Sequence, residues 1–215
     1  MVRHIFTGIA VAGFGSLVLA GGSSAHRAIQ PTPVVQDKKF DFKEPNVQKG
    51  DIAVIETNLG TIKFELLGDK APKHVANFEK LAEAGFYDGT KFHRVIPGFM
   101  IQGGDPNSRG TDRGTMGQGG PSWTVKDEFN DTKFERGIVG MAKTAAPDSA
   151  GSQFYIMVAP APFLNNKYTA FGKVTDGMDV ADKIVALPRD SNDNPDAVNP
   201  AIVKSVKIIH PDPAK

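Results

Sequence analysis

The sequence predicts a mainly β protein, a closed eight-stranded antiparallel β-barrel capped by two α-helices. Short runs rich in β-branched and aromatic residues recur along the chain, and turn-forming residues separate them. Only two segments carry helical periodicity. An antiparallel sheet can hide its exposed edges by closing, and eight strands leave an interior that side chains fill. Active groups are then expected on the outer wall or rim of the barrel.

The first segment, residues 1–25, has the pattern of a secretory signal peptide. A basic start containing Arg3 precedes an apolar run from Ile5 to Ala20, and small residues follow it. The run is shorter than the roughly 20 apolar residues that span a bilayer. We therefore expect export, to the periplasm or outside the cell, with an uncleaved membrane anchor as the alternative. Residues 26–49 are polar and contain three prolines, which predicts a flexible linker.

The predicted folded domain covers residues 50–210, and a short tail covers 211–215. The domain begins with a hairpin, because two β-rich runs flank the connection Asn58–Gly60. A helix starts at Pro72, its apolar residues recur at spacings of three and four, and Gly85 is suited to end it. The second helix is predicted in residues 177–187, ahead of Pro188.

The rest of the domain is predicted to consist of strands and loops. Glycines and turn formers dominate residues 104–119, which indicates a loop without a regular element. The remaining predicted strands are Lys91–Val95, Phe99–Gln102, Gly137–Ala142, Gln153–Val158, Thr169–Val174 and Ala201–Ile209.

The composition excludes several classes of function. A net charge of +1, from 25 basic and 24 acidic residues, gives no basic excess for nucleic acid. The absence of cysteine excludes disulfides, thiolate nucleophiles and cysteine metal sites. The five histidines are scattered without ligand spacing, so no metal or other cofactor is expected. A hydrolase using Ser152 and His93 is disfavoured, because the residues around Ser152 do not match G-x-S-x-G.

Four segments carry a resemblance to a known family. They are APKHVANF at 71–78, FHRVIPGFMIQGGD at 92–105, GIVGMAK at 137–143 and GSQFYIMVAPAPFLNNKYTAFGKV at 151–174. Together they resemble the cyclophilins, a family of peptidyl-prolyl cis–trans isomerases, over roughly residues 50–210. The resemblance implies the family's closed eight-stranded barrel with two helices, and isomerase activity on X–Pro peptide bonds.

The chemistry of this reaction suits an arginine beside an apolar pocket. Rotation about a peptide bond faces a barrier of about 18–20 kcal/mol, because twisting removes amide resonance. At the twisted state the prolyl nitrogen regains a lone pair, and a donor aimed at it stabilises that state over either planar one. Arginine stays charged and presents rigid donors, so we assign this role to Arg94.

The resemblance gives a set of candidate site residues. The catalytic candidates are Arg94 and Gln102. The substrate-binding candidates are His93, Phe99, Met100, Thr115, Ala142, Lys143, Thr144, Gln153, Tyr155, Phe163, Leu164 and Tyr168.

The sequence departs from typical family members at four of these positions. Tyr155 replaces Phe, Phe163 replaces the Trp of many eukaryotic members, Tyr168 replaces His, and Lys143 replaces Asn. These changes resemble bacterial-type members. In the family the Trp position bears on cyclosporin affinity, so weak cyclosporin binding is predicted.

The expected partners are proline-containing segments of unfolded or folding proteins. Nucleic acid is not expected as a partner, membrane contact requires an uncleaved N-terminal segment, and the chain is expected to be a monomer. The leading hypothesis is an exported isomerase that assists folding. The alternative is a non-catalytic module that binds proline-containing segments in the same pocket. Arg94 favours catalysis, because binding alone needs no donor aimed at the prolyl nitrogen.

Overall fold

The computed structural model describes residues 40–195 and 197–211. The predicted signal peptide, residues 26–39 of the predicted linker and residues 212–215 lie outside the described residues. Strands β1 (Ile52–Thr57) and β2 (Gly60–Leu66) form the predicted hairpin, with Thr57 opposite Gly60 at its closed end. The other strands are β3 (Arg94–Ile96), β4 (Met100–Gly103), β5 (Ile138–Met141), β6 (Phe154–Met157), β7 (Ala170–Asp176) and β8 (Val203–Ile209).

Both predicted helices are present, as α1 (Pro72–Glu83) and α2 (Met178–Val185). The predicted apolar face of α1 is buried against the sheet, and Gly85 takes the left-handed conformation just beyond its end, with φ +68°. In the two described ranges, no helix combines the length and apolarity needed to cross a membrane.

The eight strands form one antiparallel sheet in the order β3–β4–β6–β5–β7–β2–β1–β8. The edge strands β3 and β8 do not pair, so the predicted closed barrel is wrong and the curled sheet is open. Backbone bonds cross the gap near one end, where the Phe92 N–H donates to the Ala201 carbonyl at 3.0 Å. β3 has only three residues, and its Val95 N–H donates to the Asp193 carbonyl of a loop at 2.8 Å. A loop therefore covers the edge that closure would need.

The strands β3, β4, β6 and β5 carry two separate apolar clusters, because alternate residues face opposite sides of a sheet. The inner cluster continues into the main core under α1 and contains Val95, Ile101, Val139 and Ile156. The outer cluster is smaller and contains Met100, Ile138, Tyr155, Met157 and Leu164. The outer cluster forms the floor of the candidate site.

Two segments outside the strands differ from the sequence-based expectations. Residues 40–49 fall in the predicted flexible linker, yet Phe40, Phe42 and Val47 pack against the core. The Phe42 ring meets Trp123 edge-on at 5.0 Å, and burial of such rings is favourable enough to hold the segment on the domain. The loop at 104–119 contains a short 3-10 helix at Pro106–Arg109, which begins where the Asp105 side chain accepts the Asn107 N–H.

Candidate active site

A row of residues crosses four strands on the outer face of the sheet. Arg94 of β3 lies opposite Gln102 of β4, and Gln102 lies opposite Tyr155 of β6. Tyr155 in turn lies opposite Gly140 of β5. Directly opposed residues project to the same side of an antiparallel sheet. The row therefore presents a guanidinium, an amide and a phenol ring on one surface.

A small apolar cleft lies along this row. Phe99 sits in the turn between β3 and β4, where its N–H donates to the Ile96 carbonyl at 3.0 Å, and Met100 begins β4. Because Phe99 precedes the regular strand, both consecutive residues can line the cleft. The lining residues are Arg94, Phe99, Met100, Gln102, Ala142, Lys143, Tyr155, Leu164 and Tyr168.

Two cations line the cleft, and they differ in their partners. The Lys143 ammonium lies 2.6 Å from the Asp127 carboxylate, and both side chains are 11% exposed. Arg94 is half-buried, and its guanidinium makes no hydrogen bond or ion pair with any other residue in the described ranges. Its donors are thus available to a ligand, and Arg94 supplies the positive charge of the cleft that no carboxylate neutralises.

The side-chain amides of Gln102 and Gln153 form a chain of hydrogen bonds next to Arg94. The Gln102 Nε2 donates to the Gln153 Oε1 at 3.0 Å, and the Gln153 Nε2 donates to the Gly119 carbonyl at 2.9 Å. Gln102 lines the cleft, whereas Gln153 lies between it and the loop. The loop at 104–119 is thereby joined to the row that carries Arg94.

A family model described as cyclophilin type peptidyl-prolyl cis-trans isomerase/CLD matches residues 52–208. The chain belongs to the cyclophilin family. Its activity is accordingly that of a peptidyl-prolyl cis–trans isomerase.

Similar proteins agree with this cyclophilin assignment. A probable peptidyl-prolyl cis-trans isomerase of Brucella suis is 43% identical over 160 residues, which cover 71% of this chain and 82% of that protein. Peptidyl-prolyl cis-trans isomerase B of Bacillus subtilis is 52% identical over 122 residues, which cover 56% and 80%. The crystal structure of a Cryptosporidium parvum cyclophilin is 36% identical with a TM-score of 0.68, over 76% of this chain and 99% of that one.

This cyclophilin carries an additional hydroxyl at the floor of its cleft. Tyr155 is 5% exposed, and its hydroxyl is buried with no hydrogen-bond partner among the described residues. Its ring stacks on Phe134 and meets Tyr168 edge-on. Gly140 leaves room for it, because a Cβ there would stand 2.5 Å from the Tyr155 hydroxyl oxygen. Burial raises the pKa of Tyr155 well above its ordinary value, so the hydroxyl stays neutral.

Five of the predicted residues do not line the cleft. Gln153 lies beside the loop as described above, His93 is buried, and Phe163 is at the rim. His93 is 5% exposed, and burial lowers the pKa of its imidazole, so the ring is neutral near pH 7. Phe163 is 59% exposed, and its ring centroid lies 5.5 Å from that of Phe99. Phe163 therefore extends the apolar wall outward from the cleft.

The other two lie in loops. The Thr115 carbonyl accepts a hydrogen bond from the Asn107 Nδ2 at 3.1 Å within the glycine-rich loop. The exposed Thr144 hydroxyl donates to the Ser149 hydroxyl at 2.9 Å, just beyond the cleft residue Lys143. Both are therefore held by their own loops in this structure.

Two groups that hold polar side chains of the site are not indicated by any sequence pattern. Asp127 neutralises Lys143, and the Gly119 carbonyl holds Gln153. Both partners come from irregular loops distant in sequence, and no local pattern marks them. Lys143 was predicted as a cationic substrate contact, and its ion pair with Asp127 makes it part of a neutral pair instead.

The structure also bears on the disfavoured hydrolase alternative. Ser152 is 1% exposed and its hydroxyl donates to the Gly104 carbonyl at 2.7 Å, so it is not accessible as a nucleophile. Within residues 40–195 and 197–211, no group of three or more His, Cys, Asp or Glu residues is placed to hold a metal ion.

Proposed function

We propose that this cyclophilin accelerates X–Pro rotation through Arg94 and acts on exported proteins during their folding. The observation that carries the catalytic part is the unpaired guanidinium at the edge of an apolar cleft, directly across the strands from Gln102. The cleft walls are suited to hold a proline ring, while the preceding carbonyl swings in solvent. A donor from Arg94 then reaches the prolyl nitrogen.

The energetics assign Arg94 a part of the rate enhancement. The two X–Pro isomers differ by only about 0.5–1 kcal/mol, so catalysis has to lower the barrier alone. A rate enhancement of about 10⁵ corresponds to about 7 kcal/mol. One hydrogen bond from a charged donor contributes about 1.5–3 kcal/mol. Desolvation in the apolar cleft and a fixed substrate geometry would supply the remainder.

The proposed substrates are proline-containing segments of proteins that cross a membrane. The apolar run at Ile5–Ala20 followed by small residues supports export, because it has the build of a cleavable signal. Mass analysis of the mature protein isolated from its native cell tests this part. A mature N-terminus near residue 26 is expected, and an intact Met1 in a cytoplasmic fraction would contradict it.

The catalytic part is tested by separating turnover from affinity in Arg94→Ala. We expect turnover of an X–Pro peptide to fall by about 100-fold, the loss of roughly 3 kcal/mol, because the twisted state loses its donor. The dissociation constant of the same peptide should change by about threefold or less. A protease-coupled assay and a peptide titration measure the two quantities.

Arg136→Ala is a matched control for the charge and size of this substitution. Arg136 is partly exposed, pairs with Asp182 on α2 and does not line the cleft, so turnover should be unchanged. Equal losses of affinity and turnover in Arg94→Ala would instead favour the non-catalytic binding module.

A further inference from the structure

Gln153 was predicted as a substrate contact, but its position suggests another role. We propose that Gln153 is a positioning residue, which fixes the amide orientation of Gln102 in a direction set by the Gly119 carbonyl. This inference rests on the proposed function, because it concerns how Gln102 and Arg94 are prepared for the same reaction.

The polarity of the amide chain follows from its end point. A backbone carbonyl can only accept, so the group of Gln153 that faces Gly119 has to be its Nε2, as the 2.9 Å contact shows. The Oε1 of Gln153 then faces Gln102 and accepts from its Nε2 at 3.0 Å. Reversal of either amide would bring two donors or two acceptors together.

The Gly119 carbonyl is itself held in place by the loop. The fully buried carboxylate of Asp105 accepts the backbone N–H groups of Asn107, at 2.8 Å, and Gly117. A Cβ on Gly119 would stand 2.2 Å from the Asp105 carboxylate, so the loop backbone at Gly119 packs directly against that carboxylate. Ser152 directly precedes Gln153 in the chain. Its hydroxyl donates to the carbonyl of Gly104, the first residue of the loop.

The orientation of Gln102 decides what it offers to Arg94. With its Nε2 committed to Gln153, the Oε1 of Gln102 is left as the acceptor, directly across the strands from Arg94. Guanidinium groups only donate, so this orientation suits an arginine neighbour, and the flipped amide would set donor against donor. The loop carbonyl thus selects the orientation of Gln102 that leaves an acceptor, and not a second donor, free on the residue opposite Arg94.

Gln153→Glu is the sharpest test, because it retains shape and acceptor capacity. The ionised carboxylate that this substitution introduces can still accept from Gln102 but cannot donate to the Gly119 carbonyl, whereas the protonated acid can do both. We expect the exchange rate of a bound X–Pro peptide, measured by NMR, to fall about tenfold at pH 7.5. The rate should recover as the pH falls through the pKa of the new carboxyl, while affinity changes by less than about twofold.

The titratable and charged groups around this position are His93, Arg94, Asp105 and Tyr155. The wild-type pH profile, measured over the same range, gives the contribution of these groups beside the neutral amide of Gln153. Gln118→Glu is the matched control, because Gln118 is exposed on the same loop and donates to the Gly114 carbonyl instead. It should retain the wild-type rate and profile.

Two outcomes would overturn the inference. Gln153→Glu could keep the wild-type rate at pH 7.5, or it could lose affinity without losing rate, which would make Gln153 a substrate contact. Arg94→Ala in the same experiment separates this inference from the proposed function. A slow Arg94→Ala with a fast Gln153→Glu refutes only the positioning role, whereas a fast Arg94→Ala refutes the proposed function.

Discussion

The two faces of β3, β4, β6 and β5 use the same strands for different purposes. Val95, Ile101 and Ile156 on the inner face are fully buried and apolar. The opposed row on the outer face carries Arg94, Gln102 and Tyr155, and it includes a cation and a buried hydroxyl that have no partner among the described residues. Alternation along a strand allows one face to stabilise the fold while the other exposes groups that would be costly in a core.

The comparison also explains why the site has a rigid floor. The inner residues anchor the backbone of each strand, so the outer side chains project from fixed positions. A reaction that depends on one donor reaching one nitrogen requires placement within fractions of an ångström. Substitutions on the two faces should therefore change different measured quantities.

The largest effect is expected for Ile156→Ala on the inner face. Removal of a fully buried side chain leaves a cavity, and the free energy of unfolding should fall by about 2–5 kcal/mol. Denaturant titration measures this loss. Peptide affinity of the folded fraction should be unchanged, and a large loss of affinity would break the proposed separation of the faces.

Phe99→Ala should show the opposite pattern on the outer face. Phe99 is only partly buried and lies in a turn, so the free energy of unfolding should fall by less than about 1 kcal/mol. The affinity for an X–Pro peptide should fall by roughly tenfold, because an apolar wall of the cleft is removed. Calorimetric titration and denaturant unfolding, measured on one preparation, test both parts together.

Glu79 tests whether the inner side tolerates an ionised group. Glu79 lies on α1 and is fully buried, and burial, followed by the nearby Asp51 carboxylate, raises its pKa to about 8. Because its folded-state pKa lies above the unfolded value, its stabilising contribution is complete below about pH 4.5 and is lost as the pH rises through about 8. Glu79→Gln should flatten the decline in unfolding free energy between pH 5 and pH 9, and an unchanged slope would contradict the assignment.

The smallest effect is expected for Tyr155→Phe. This substitution removes a buried hydroxyl that has no partner in the described residues, so the free energy of unfolding should rise by about 1 kcal/mol. A thermal unfolding scan measures the change. A loss of stability would instead mean that the hydroxyl is hydrogen-bonded in solution.

Local patterns were sufficient for most of the fold. The spacing of Val75, Phe78 and Leu81 predicted α1, and the Asn58–Gly60 connection predicted the first hairpin. The closed barrel was wrong, because whether two edge strands pair depends on a loop contact between Val95 and Asp193. That contact joins residues far apart in sequence, and no periodicity records it.

The sequence predicted most of the residues that line the candidate site, but not the groups to which their side chains bind. Nine of the fourteen candidate residues line the cleft, including Arg94 and Gln102. Two contacts depend on the positions of irregular loops. They are the ion pair between Lys143 and Asp127 and the hydrogen bond from the Gln153 side chain to the Gly119 carbonyl. Such partners are set by tertiary structure, so sequence spacing alone does not indicate them.

The most direct test of the central claim is the cis–trans exchange rate of a bound X–Pro peptide in Arg94→Lys. Lysine keeps the charge but lacks the rigid, planar donors of a guanidinium. We predict an affinity within about threefold of wild type and a bound exchange rate at least about tenfold slower, measured by NMR line shapes. A bound exchange rate equal to that of wild type would contradict the claim that a positioned guanidinium stabilises the twisted amide.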